Sequence, residues 1–221
     1  MFPLCADFAP LLGFLQTTSS SLTTIDTDIS AQISSTNGFT PTNPSTASAM
    51  IAELEAFLVI LEAGNTSMTT AQSTAQSLRD SIAAASVSAS PYASLSSTLG
   101  PNLLEARTKT VEAMDKIIIA TRDGIARYSD PGAIISDINL QIFNINNPEA
   151  TVAVSITEAQ DELIEAIADA TGKLEVVDVS VTEAIADLPI RVSAVQGSLN
   201  GIASPSPAFS TAVNAFLSFT P

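Results

Sequence analysis

Five carboxylates, Glu158, Asp161, Glu162, Glu165 and Asp169, recur three and four residues apart. On a helix that spacing places them along one face. Carboxylate oxygens so arranged can hold a hard cation such as calcium, or dock a basic partner. A solvated polar face has the same pattern, and it is the plainer reading. From Glu149 to Asp187 there are ten acids and a single base, Lys173. Five of the eight basic residues lie between Arg107 and Arg127. Opposite charges on two segments predict that the two helices lie side by side.

Little else offers chemistry. Histidine is absent, which removes the commonest general base and metal ligand. A Ser/His/Asp triad is therefore impossible. A Ser–Lys dyad has only Lys109, Lys116 and Lys173 to draw on, and all three read as solvated helix residues. One cysteine, Cys5, permits no intrachain disulfide and no thiolate zinc site; it reads as a small apolar residue. There is no phosphate-binding glycine loop. The expectation is no catalytic residue, no metal, no cofactor and no enzyme activity.

The aromatic residues are placed more pointedly. Six of the nine phenylalanines lie near the ends: Phe2, Phe8, Phe14, Phe209, Phe216 and Phe219. Either both termini fold onto one end of the protein, or these rings are anchors for a partner, since aromatic residues are enriched at interface hot spots. The partner-binding reading is the functional expectation, with segments 1–9 and 205–221 as contacts.

Composition sets limits. Of 221 residues, 46% are hydrophobic and only 14% charged, where roughly 25% is usual. Mean hydropathy is +0.33. Ser, Thr and Ala stand where an ordinary helix carries Lys and Glu, which favours packing into a homo-oligomeric assembly. Net charge is −15, so neither nucleic acid nor an anionic membrane is an expected partner. No apolar run is long enough to span a bilayer, and Met1-Phe2-Pro3-Leu4 lacks the basic start of a signal peptide. Synthesis in the cytoplasm is expected.

The elements that carry these residues are helices. From Ser45 to about Ala89, apolar positions run Ala47, Met50, Leu54, Phe57, Leu61, Gly64, Met68, Ala71, Ala75, Leu78, Ile82 and Ala85. Their mean step near 3.5 predicts a long helix with one stripe for packing. Gly64 either breaks it or marks a close contact. An earlier helix from Pro10 uses Leu11, Leu15, Thr18, Leu22, Ile25, Ile29 and Ile33, and ends before Asn37-Gly38. A third runs from an Asn102 cap to Tyr128, with Leu104, Val111, Met114, Ile118, Ile125 and Tyr128 as its stripe. Pairs Glu105/Lys109, Glu112/Lys116 and Asp123/Arg127 support it at i,i+4. Residues 133–145 fit a helix better than a strand. A further pattern runs from Glu149, with Gly172 as an interruption, a β-branched run at 176–181, and Pro189 as an expected kink or break. A short last helix gathers Phe209, Val213, Phe216 and Leu217. The fold class is all-α: one elongated antiparallel bundle of heptad-phased helices over residues 1–221, with Asp130–Gly132 the best candidate boundary.

In composition and helical design the whole chain resembles the small all-helical structural proteins of tailed-phage virions, such as tail, baseplate and neck components. The resemblance implies a non-enzymatic assembly protein located in the virion, with other structural proteins of that assembly as partners. The other reading is a secreted or surface helical module, similar to fungal proteins that coat hydrophobic surfaces.

Overall fold

The computed structural model describes residues 8–89, 97–147, 155–200 and 207–221, the last with side chains from 211 onward. These residues form six helices: α1 (Ala9–Gly38), α2 (Ala47–Ala84), α3 (Leu99–Ser129), α4 (Ile134–Asn146), α5 (Ile156–Leu199) and α6 (Pro207–Leu217). Helix accounts for 86% of the described residues, and no strand occurs among them. The fold is an all-α helical bundle.

By contact the chain forms two compact units. Unit 1 comprises 1–25, 73–118 and 180–221; unit 2 comprises 26–72 and 119–179. Each takes part of α1, α2, α3 and α5. Unit 1 adds α6 and unit 2 adds α4. The turn at Asp130–Gly132 lies inside unit 2.

Within unit 1, α3 and α5 run antiparallel. Glu105 pairs with Arg191 and Lys116 with Glu183, so one number falls as the other rises. Arg79 of α2 reaches Asp115 of α3 at 3.1 Å. The core here includes Leu11, Leu15, Leu22, Met114, Val192 and Val195, all at most 1% exposed. Removing each such side chain from water contributes roughly 1.5–3 kcal/mol. Within unit 2, Asn37 accepts from Thr171 and Asp178 accepts from Ser30, which sets α1 antiparallel to α5. Leu54, Phe57, Leu61, Met68, Tyr128, Leu163 and Leu174 fill its core, and Phe39 packs on Phe57 with ring centroids 5.2 Å apart.

α2 passes through Gly64 unbroken, and the reason is a close approach. A Cβ on Gly64 would lie 3.1 Å from the Tyr128 ring of α3. Tyr128 is fully buried and donates its hydroxyl hydrogen to the Ala170 carbonyl at 3.0 Å. Burial pushes that phenol's pKa up, with the nearby Asp169 adding to the shift. α2 begins where the sequence suggests, with Thr46 Oγ1 accepting from the Ala49 amide.

Several expectations need correction. α5 runs as one helix through Gly172 and through Pro189, so Pro189 does not break it. The β-branched run 176–181 is helical too, while the helical reading of 133–145 holds from Ile134 onward, as α4. α3 begins at Leu99 rather than behind an Asn102 cap; Gly100 and Pro101 fall in its first turn, where a proline loses no helical hydrogen bond. Asn102 instead donates to Ser198 Oγ of α5 at 2.6 Å. Of the expected α3 stripe, Met114 and Tyr128 are fully buried, and the other four positions lie one residue off the core. Leu104 is 46% exposed, and the interior takes Leu103, Ala106, Thr110, Met114 and Ile117. None of the three expected i,i+4 pairs forms. Glu105, Lys116 and Arg127 reach acids or bases of α5 instead, Lys109 pairs with Glu112 and Asp123 with Arg122. The start of the fifth pattern between Glu149 and Val154 lies outside the described residues.

Candidate functional site

The acidic stripe opening α5 separates into different roles. Glu158 closes a capping box: its Oε2 accepts from the Ser155 amide at 2.8 Å, and its own amide donates to Ser155 Oγ at 3.2 Å. Hydrogen bonds to the carboxylate from the Ser155 amide first, and from the Ser155 hydroxyl second, hold that carboxyl below the usual range. Asp161 is exposed. Asp169 pairs with Arg127 of α3. Glu162 and Glu165 face a groove that α4 closes from the other side, with Asp137, Gln141, Ile134 and Ile138.

This groove lies wholly in unit 2 and holds about 120 Å³. Its floor is apolar, from Ile134, Ile138 and Ala166. Its rim is acidic, with Asp137, Glu162, Glu165 and the paired Asp169. Gln141 Oε1 lies buried in its wall and accepts no hydrogen bond. Among the described residues no group of three or more acids or cysteines is arranged to hold a metal ion. The alternative cation reading of the acidic face thus finds no cage there.

α4 deserves its place in the site by what it leaves outside. Ile134 and Ile138 point inward, 2% and 1% exposed, while Leu140 and Phe143 stand out at 53% and 57%. Leu140 and Phe143 are spaced i,i+3, so they share one outward face.

A second groove, in unit 1, runs between α3 and α5 and is lined by Lys109, Glu112, Lys116, Glu183, Asp187 and Arg191. Here the charges neutralise one another. Lys116 Nζ lies 2.8 Å from Glu183, whose hydrogen bond raises the lysine pKa. Arg191 holds Asp187 at 2.7 Å and lowers its carboxyl pKa. Both predicted oppositely charged segments thus lie together, as a ladder of half-exposed pairs that individually contribute little.

The terminal phenylalanines divide. Phe8 and Phe216 are fully buried in unit 1, which leaves neither ring available to a partner while the unit is folded. Phe14 and Phe219 are partly exposed, Phe219 stacking on Phe216 with centroids 6.4 Å apart. Gln196 of α5 ties this end down, donating to the carbonyls of Phe216 and Phe219 at 2.7 and 2.8 Å. Gln16 of α1 donates to the Ala215 carbonyl, so α1 and α6 meet. Phe2, Cys5 and the Phe209 side chain lie outside the described residues. Spacing alone did not reveal Asp137 or Gln141, which only the docking of α4 brings to the acids. The capping role of Glu158 was visible in Ser155-Ile156-Thr157-Glu158.

No family model, no curated protein and no solved structure matches this chain. No helix among the described residues is long and apolar enough to cross a membrane.

Proposed function

We propose that the chain is a non-enzymatic structural protein that packs in multiple copies within a larger assembly, most specifically as a tail, baseplate or neck component of a tailed-phage virion. One observation carries this reading. On α5 of unit 2, Ile164, Val176 and Val179 stand 52–56% exposed, with Ala168 exposed between them. At four, four, four and three residues apart with Gly172, these positions trace the side opposite Leu163, Ala170, Leu174 and Val177 of the core. This side also carries the exposed acids Asp161, Glu165 and Glu175, and between them it sets apolar residues where a free helix has further polar ones. A packed one needs apolar surface, because association is driven by burying it. The absence of histidine from the sequence fits a part without catalytic work.

The contacts then fall on helix faces and on the partly exposed Phe14 and Phe219. Light scattering of the intact protein tests this. Multiple copies are expected, and Ile164→Glu with Val179→Glu should lower the association state without loss of helix. A monomer at every concentration would defeat the reading. Capsid and tail genes beside the coding sequence would place the assembly in a virion. The rival, a secreted module that coats hydrophobic surfaces, draws on the same exposed apolar residues; adsorption of the monomer to a hydrophobic surface, with no self-association, would favour it.

A further inference from the structure

We infer that the α4–α5 groove of unit 2 is a docking site for a basic, partly apolar segment of a second, different protein, which places a cationic side chain in the groove and covers Leu140 and Phe143. This names a partner for the assembly role proposed above and rests on that reading.

The groove presents three carboxylates, and beside the paired Arg127 its one side-chain donor is the neutral Gln141 amide. Asp137, Glu162 and Glu165 have no cation within ion-pair distance among the described residues, and the one cation at the site, Arg127, is taken by Asp169. Gln141 Oε1 is enclosed in the same wall without a donor. Three like charges around an apolar floor repel one another, and a buried acceptor without a donor loses its hydration for nothing. A guanidinium or ammonium group supplies what is missing, with several donors and a positive charge. Leu140 lies one helical turn from Asp137 at the groove's rim and Phe143 one turn beyond it, so a segment that reaches Asp137 across the outside of α4 covers both exposed side chains. Aromatic and aliphatic anchors beside a charged contact are the usual anatomy of a docking surface.

A second copy of this chain is a poor occupant. Its net charge is −15 with eight basic residues. Six of those eight make ion pairs within the chain, Arg79, Lys109, Lys116, Arg122, Arg127 and Arg191. A seventh, Arg107, donates to the Ala85 carbonyl. The chain has almost no cation to lend, so the cation comes from another protein.

The test uses the full chain and a synthetic amphipathic helical peptide of Leu, Ala and Arg, followed by calorimetry. A second peptide keeps the arginines and replaces Leu with Ser. Glu162→Gln with Glu165→Gln should weaken binding about tenfold, the scale of a charge-assisted contact. Glu55→Gln with Glu62→Gln, the same charge change on exposed positions of α2, should change it less than about twofold. Leu140→Ser with Phe143→Ser, and the Ser peptide, should each lose a similar factor. Equal weakening by both Glu pairs means general attraction to an acidic surface and overturns the proposal. So does no binding, or calcium alone binding at Glu162 and Glu165. Should the Ser variants unfold, the two Glu pairs still decide, since Gln keeps the shape of Glu. Loss of peptide binding with self-association intact would remove this partner and leave the assembly reading standing.

Discussion

Gly64 and Gly172 sit in helix interiors and have opposite reasons to be there. At Gly172 an added Cβ would meet nothing within 4 Å. Gly172→Ala should therefore stabilise the protein by about 0.5–1 kcal/mol, the helix propensity difference. At Gly64 the same methyl presses on the Tyr128 ring at 3.1 Å. That ring is buried and pinned by its hydroxyl, so it has nowhere to retreat. Gly64→Ala should lose about 1 kcal/mol net through overpacking. Chemical denaturation of the two variants side by side checks the contrast; equal shifts would mean the Tyr128 contact is soft. The capping box gives a pH-dependent counterpart. Ser155→Ala should cost about 1 kcal/mol at neutral pH. Because the Glu158 carboxyl is held low in the folded state, its contribution is present above the ordinary carboxylate range and is lost as pH falls through the folded value. Glu158→Gln should flatten that part of the acid limb in denaturation curves taken from neutral pH down to about pH 3.

At the scale of elements, the buried stripe of α2 could be read and that of α3 only in part, for one reason. The interior of α2 uses large residues, Met50, Leu54, Phe57, Leu61 and Met68, so periodicity stands out. Only Ala47, at its exposed start, falls off the stripe. The interior of α3 mixes Leu103, Met114, Ile117 and Tyr128 with the small residues Ala106, Thr110, Ala120, Thr121 and Gly124, while Leu104 and Ile119 face out. Size and position disagree, and spacing by size picks the neighbouring stripe. The small residues are there because α2 brings large ones: a Cβ on Gly124 would fall 2.5 Å from the Met68 sulfur. The site follows the same rule. The acids of α5 were visible by spacing, but their groove exists only because α4 folds back after Gly132. Pro189 was legible as a disturbance and not as a tolerated one. Its missing amide leaves the Ile185 carbonyl without its helical donor, at a position only partly buried, where water can serve instead. Pro189→Ala should raise stability by about 2 kcal/mol, within the helical penalty of proline. A variant no more stable than the parent would show that what the Pro189 ring contributes to the cavity it lines with Leu22 and Leu188 offsets the lost bond.

The whole molecule balances repulsion against apolar surface. At neutral pH its net charge of −15 keeps chains apart. As pH approaches the isoelectric value of about 4.1, that barrier vanishes while Val59, Phe143 and Ile190 remain 57–65% exposed. Light scattering should rise steeply between neutral pH and the isoelectric value, and salt at neutral pH should move the rise to higher pH by screening. Flat scattering across that range would mean the exposed residues are too dispersed to associate. The meeting of α1 with α6 has a consequence for biosynthesis. Gln16 and Ala215 are 199 residues apart in sequence, and Thr171 must arrive before Asn37 has its partner. A ribosome adding roughly 5–20 residues per second needs on the order of ten seconds or more between the two ends. Throughout that interval Leu11, Leu15 and Leu22 have been made and their last neighbours have not. The first helix is therefore the client a nascent-chain chaperone would hold longest, and polypeptides released early should be cleaved there first.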